Sequence, residues 1–193
     1  MDRIRPLVYA SRFNEALAAN TEAYEAAVSR WLDYYEAREI DAIGSGAVVL
    51  RRRSGDNWVR GFEVTVPVAG EASRHVTRLF DAADEARLLA GGALLRSTLR
   101  WVDGHRLDQR LVHRGGEYEI SDVGARDDTV GIVTPVAPAA LDVLFRIDGA
   151  TSVAAAIDAA VAASDGDRAE LVAAATAAIR ALHAHGLLEP ARP

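Results

Sequence analysis

WLDYYEAREIDAIGSGAVVLRRRSGDNWVRGFEVTV, residues 31–66, is the stretch around which the fold is read. It opens as the end of an amphipathic helix and continues into a strand over Ile43–Arg53. The apolar run Ala47-Val48-Val49-Leu50 implies burial on both strand faces, as inside an α/β sheet. Ser54-Gly55-Asp56-Asn57 contains only turn formers and should fold the chain back antiparallel. On the return strand Phe62, Val64 and Val66 alternate with Gly61, Glu63 and Thr65, giving one buried and one wetter face. Two strands cannot cover their own apolar faces, so the pair is expected to close a larger sheet.

The helix and strand pair, WLDYYEAREIDAIGSGAVVLRRR and NWVRGFEV, resemble the last helix and final strands of a class I S-adenosylmethionine-dependent methyltransferase. More narrowly they are similar to a family of bacterial methyltransferase-like proteins with a C-terminal extension. ASRHVTRLFDAADEARLL and LFRIDGATSVAAAIDAAV…IRALHAHGLLEP fit the same family. The resemblance covers most of the chain but only the C-terminal half of the family's length. The sequence has no Gly-rich loop after a first strand and no Asn-Pro-Pro-Tyr-type motif, the parts that hold cofactor and acceptor nitrogen in such enzymes. The resemblance therefore implies the portion without the chemistry, cut off from its partner half by truncation, gene calling or gene splitting. S-adenosylmethionine is expected for the full-length family and not for this chain. No catalytic, cofactor-binding or metal residues are assigned.

The 193 residues suffice for one large or two small domains. No apolar run approaches the length of a membrane span, and Met1–Tyr9 lacks the apolar region of a signal peptide, so cytoplasm is the expected compartment. The chain has no cysteine, which excludes disulfides, thiolate metal sites and cysteine nucleophiles. All 22 basic residues are arginine, which also removes lysine as a Schiff base or general base. The net charge of -6 argues against general affinity for nucleic acid, though not against a local basic patch.

In chain order, Asp2–Val8 reads as an irregular lead-in. Helices follow at 11–18 and 21–38, the second capped at Asn20-Thr21. Trp31, Tyr34 and Tyr35 offer either a base-stacking platform or, as burial habits favour, an aromatic core with one ring at the surface. Arg51-Arg52-Arg53, with Trp58 and Arg60 across the turn, can be read as a nucleic-acid patch. They can also be read as a strand end running into solvent.

Glu71–Leu89 is helical in period, with Val76, Leu79, Phe80 and Ala83 on one face and His75 beside it. No second His or carboxylate stands at metal-ligand spacing from His75. Short β segments then form an antiparallel meander: LLRSTLRW from Leu94, RLDQRLVH, and EYEISDV, with turns at Asp103-Gly104 and Gly115-Gly116 and an end near Arg126-Asp127-Asp128. Leu107 and Val112 break strict alternation. His105 and His113 have no serine partner in a nucleophile-elbow setting.

The last 55 or so residues read as three helices and a closing strand at Leu187-Leu188, resembling a winged-helix unit. Asp148-Gly149 stops the first helix, and Thr151 or Ser152 caps the second. Leu171, Ala175, Ala178, Ile179 and Leu182 face inward on the third, which ends at Gly186. Its outward positions, with Arg180, His183, Asp167 and Glu170 in an alanine-rich run, make a poor DNA-reading surface and favour a packing or protein-interaction module. His183 and His185, two apart, point to different faces.

The expected architecture is thus α/β followed by α+β. Residues 1–67 complete a Rossmann-like methyltransferase sheet, 68–134 hold a helix and meander, and 135–193 form the winged-helix-like unit. Expected partners are the missing N-terminal half, possible nucleic acid or protein substrates, or a second copy through the exposed sheet edge. A stand-alone binding module is the alternative.

Overall fold

In the computed structural model the chain is mixed α/β, and residues 3–44, 46–54, 57–64, 72–87, 89–127, 129–164 and 167–191 are described. It divides into two compact units, Met1–Asn57 and Trp58–Pro193.

The first unit is a helical pair. Helix α1 (Pro6–Phe13) begins earlier than the sequence predicts, because Pro6 occupies the first turn, where its fixed φ suits the helix and its missing N–H costs nothing. A 3₁₀ turn over Glu15–Leu17 leads to α2 (Thr21–Ala37). The N-cap of α2 is Asn20, whose side chain accepts from the Ala23 N–H at 3.1 Å, as the Asn20-Thr21 break predicts. Between the helices Phe13 stacks on Tyr9 at 4.5 Å and on Trp31 at 5.8 Å, and Trp31 meets Tyr35 edge-on at 6.1 Å. Of Trp31, Tyr34 and Tyr35, Tyr34 is the exposed ring, with Arg38 over its face; Phe13 is exposed as well. Ile4 and Ile43 form an isolated antiparallel bridge, each N–H reaching the other's carbonyl at 2.9 Å.

The expected strand pair is corrected here. Neither residues 46–54 nor 57–64 form a strand, and Val48 and Leu50 are each 88 % exposed rather than buried on two faces. A strand exists only against a partner, and neither segment is paired in a sheet among the described residues. Gly55, Asp56 and residues 65–71 lie outside the described residues, and with them the turn centre and the end of the return strand.

The second unit builds a core of its own. Helix α3 (Ala72–Glu85) is followed by the short α4 (Ala93–Arg96), where the sequence suggests β structure from Leu94. Strand β1 (Leu99–Trp101) then pairs antiparallel with the C-terminal β5 (Leu188–Pro190), Arg100 opposite Glu189. A bridge from Thr98 to Ser152 extends this small sheet on its other side. The meander proper is β2 (His105–Arg114), β3 (Glu117–Asp127) and β4 (Val133–Val136), in that spatial order. Gly115 and Gly116 close the β2–β3 hairpin at φ 57° and 96°, left-handed values that glycine adopts without strain. A bulge between Arg110 and Leu111 accounts for the imperfect alternation of β2.

Pro138 opens a 3₁₀ turn that runs into α5 (Leu141–Leu144). Helices α6 (Val153–Ala162) and α7 (Arg168–Ala184) follow, capped by Ser152 and Asp167. Leu171, Ala175, Ala178, Ile179 and Leu182 of α7 are buried, and they join Val143, Leu144, Val153, Ile157, Leu99 and Leu188 in one core. Gly186 (φ 68°) ends α7. The Leu187 N–H returns to the Leu182 carbonyl and the Gly186 N–H to that of His183, the two bonds of a Schellman cap.

Candidate functional site

The densest group of buried ionisable side chains lies where α3, the end of β3 and the C-terminus of α7 meet. His75 is fully buried on the inner side of α3, and Asp127, the last residue of β3, is 2 % exposed. Arg78 Nη2 donates to Asp127 Oδ2 at 2.6 Å, and Arg78 Nε donates to the Gly186 carbonyl at 2.9 Å. One arginine, a turn after His75, thus neutralises a buried carboxylate and satisfies a carbonyl just past α7. The other carboxylate oxygen of Asp127 accepts from the N–H and the hydroxyl of Thr129.

His75 Nδ1 lies 3.2 Å from both Asp127 Oδ2 and Arg78 Nη2, while Nε2 is buried with no hydrogen-bond partner among the described residues. Nδ1 thus faces an acceptor and a donor at once: protonated, it donates to Asp127, and bare, it accepts from Arg78 Nη2. Burial holds the imidazole below its ordinary pKa, opposed by the bond and charge of Asp127. Burial pushes the Asp127 carboxyl up, but the bonds from Thr129 and His75 outweigh it and leave the group below its usual value. His185 Nδ1 meets the buried Thr134 hydroxyl at 2.8 Å. Its pKa is also lowered, first by burial and then by the charges of Arg60 and His75.

Hydroxyl, imidazole and carboxylate are therefore all present, but not in a relay. The histidine that touches Thr134 is His185, whereas the one that touches Asp127 is His75. Thr134 is fully buried, so its hydroxyl is closed to a substrate. The arrangement fastens three elements together, and its chemistry is that of a neutral, hydrogen-bonded clasp. His183, expected among the outward positions of α7, is instead buried, because its Nδ1 donates to the Leu188 carbonyl at 3.1 Å and helps hold β5. No cluster of three or more potential metal ligands occurs among the described residues.

The residues proposed for nucleic acid divide between the units. Arg51, Arg52 and Arg53 are exposed in an irregular segment of the first. Trp58 and Arg60 belong to the second, where both make structural contacts. Arg60 Nη1 donates to the Ala184 carbonyl at 2.6 Å, and its guanidinium lies 5.6 Å over the Trp58 ring, which rests against Phe80. Phe62 follows, edge-on to His185. Arg60 and Arg78 thus both serve the carbonyl end of α7, where cations are favoured.

No helix among the described residues is long and apolar enough to cross a membrane. Comparison with protein-family models, with curated proteins and with solved structures finds no match to this chain.

Proposed function

We propose that this chain is the C-terminal portion of an S-adenosylmethionine-dependent methyltransferase-like protein of the bacterial cytoplasm, inactive without the half that holds the cofactor. The observation that carries this reading is the exposure of Val48 and Leu50, 88 % each, within a run of strand-forming residues that has no strand partner among the described residues. Residues of this kind are stabilised in a sheet interior, and a Rossmann-like sheet ending in this pair supplies that interior. The first unit supports the same reading. Its only buried hydrophobic residues, among those described, are Ala10, Ala27 and Val28, too little apolar burial to hold a unit of this size firmly.

On this reading the residues from 68 onward, the greater part of the second unit, are the family's C-terminal extension. Its α5–α6–α7 array, flanked by β1 and β5, supports a winged-helix-like assignment. The exposed side of α7 carries Ala173, Thr176, Ala177 and Arg180, with Arg168 engaged by Asp158 at 2.6 Å. Such a surface favours protein contact over a DNA groove.

Sequencing the genomic DNA upstream of Met1 tests the proposal. An in-frame or adjacent coding region with a Gly-rich loop and an Asn-Pro-Pro-Tyr motif is expected. A stop codon with no such neighbour counts against it. A second reading, a stand-alone binding module, rests on the complete core of the second unit, which needs no other chain to bury Leu99, Val143, Ile179 and Leu182.

A further inference from the structure

The second unit also presents an apolar track that its core leaves uncovered. At its centre is a groove of about 530 Å³ whose lining includes Ile120, Leu141, Phe145 and Leu171. Leu141 and Leu171 are floor residues that also belong to the core, whereas Phe145 is 64 % exposed although it directly follows the buried Leu144. The track continues along the β2–β3 hairpin. Leu111 pairs with Ile120 and His113 with Tyr118, so these four share one face. Leu111 is 56 % exposed and Tyr118 is 73 % exposed, an apolar extent that marks an interaction surface.

The lining of the groove also settles the charge of what it can accept. Asp142, Asp167 and Glu170 all border it. Asp142 is matched by a half-buried Arg146 at 3.3 Å, and Asp167 caps α7. Glu170 has no ion-pair partner among the described residues. An acidic occupant would be repelled, and a purely apolar one would desolvate these carboxylates without compensation. A segment carrying arginine or lysine can lay its aliphatic stems on the apolar floor and direct its cationic ends to the rim.

We propose that this groove docks a short extended segment of a partner protein in which aliphatic residues alternate with arginine or lysine. The inference is independent of the methyltransferase reading, since every residue it uses lies in the second unit. A second copy is the competing occupant, because Val48–Arg53 of this chain has a related composition.

Fluorescence anisotropy with the full chain and a labelled hexapeptide of alternating leucine and arginine is the test. The account expects this peptide to bind about tenfold more tightly than serine–arginine or leucine–glutamate counterparts. Phe145→Ala and the Asp142→Asn/Glu170→Gln double variant should each weaken binding by about tenfold. All three positions are exposed, so circular dichroism should be unchanged. Equal affinity for the serine–arginine peptide, indifference to these variants, or no binding at millimolar peptide would overturn the proposal. So would a concentration-dependent dimer abolished by Phe145→Ala, which would assign the groove to a second copy.

Discussion

Arg78 and Asp127 lie 49 residues apart in sequence, and their side chains meet at 2.6 Å with the carboxylate buried. The same guanidinium holds the Gly186 carbonyl, so a single side chain connects α3, β3 and the end of α7. Removing one member of a buried pair leaves the other charge uncompensated, at a cost of about 3 kcal/mol or more. Asp127→Ala should therefore lower the urea midpoint strongly. Asp158→Ala, which breaks the exposed pair with Arg168, should change stability by less than about 1 kcal/mol. Equal effects from the two variants would show that the clasp is not a stabilising element.

The clasp also sets the acid response. His75 and His185 have lowered pKa values in the fold, so between those values and the unfolded value near pH 6.5 the unfolded chain binds more protons. Their contribution is complete above that unfolded value and declines as the pH falls below it. Asp127, also lowered, contributes above the ordinary carboxylate value and loses that contribution as the pH falls through its folded value. Denaturation midpoints should fall between about pH 7.5 and pH 5.5, and His75→Gln should flatten that slope. A slope unchanged by His75→Gln would remove His75 as its source.

Gly186 combines a left-handed backbone with a close neighbour. A Cβ there would lie 3.1 Å from Arg78 Cβ, at φ 68°. Gly186→Ala should cost about 1–3 kcal/mol, and Gly91→Ala, with an open site at φ 55°, should cost less because only the backbone term remains. Thermal melts of the two variants measure the difference directly.

Val48 and Leu50 contribute little to the isolated fold. Replacing both by aspartate should leave the unfolding free energy from urea titration within about 0.5 kcal/mol while reducing light scattering at high concentration. A large loss of stability would mean that these side chains are engaged in the folded chain.

The second unit is the part most legible in the sequence. The inward set Leu171, Ala175, Ala178, Ile179 and Leu182 has a clean helical period, and Gly115-Gly116 and Gly186 mark their turns through backbone needs that few other residues meet. Pairing between distant segments leaves no such local sign, and so β1 against β5 is invisible before the chain folds. Strand β4 is masked by Pro135, which an edge strand tolerates because one side of it needs no N–H donor. The run at 47–50 misleads for the opposite reason. Its strand propensity is real, but propensity describes fit to a sheet and does not supply one.

The buried clasp was legible only in fragments. His75 and Arg78 share a helix face by their spacing of three, and Asp127 stands two residues before Thr129, the spacing of an Asx turn. Nothing in the local sequence brings those two fragments together. The acidic apolar groove was likewise hidden, because its walls come from the hairpin, α5 and α7.

Calorimetric titration of the isolated chain with S-adenosylmethionine, run beside light scattering of the same sample, tests the central claim most directly. In the resembled fold the cofactor rests against a glycine loop and an acidic ribose-binding residue at the ends of earlier strands. The account predicts no binding heat, together with self-association or aggregation driven by the exposed apolar residues around Val48 and Leu50. Micromolar cofactor binding by a well-behaved monomer would contradict it.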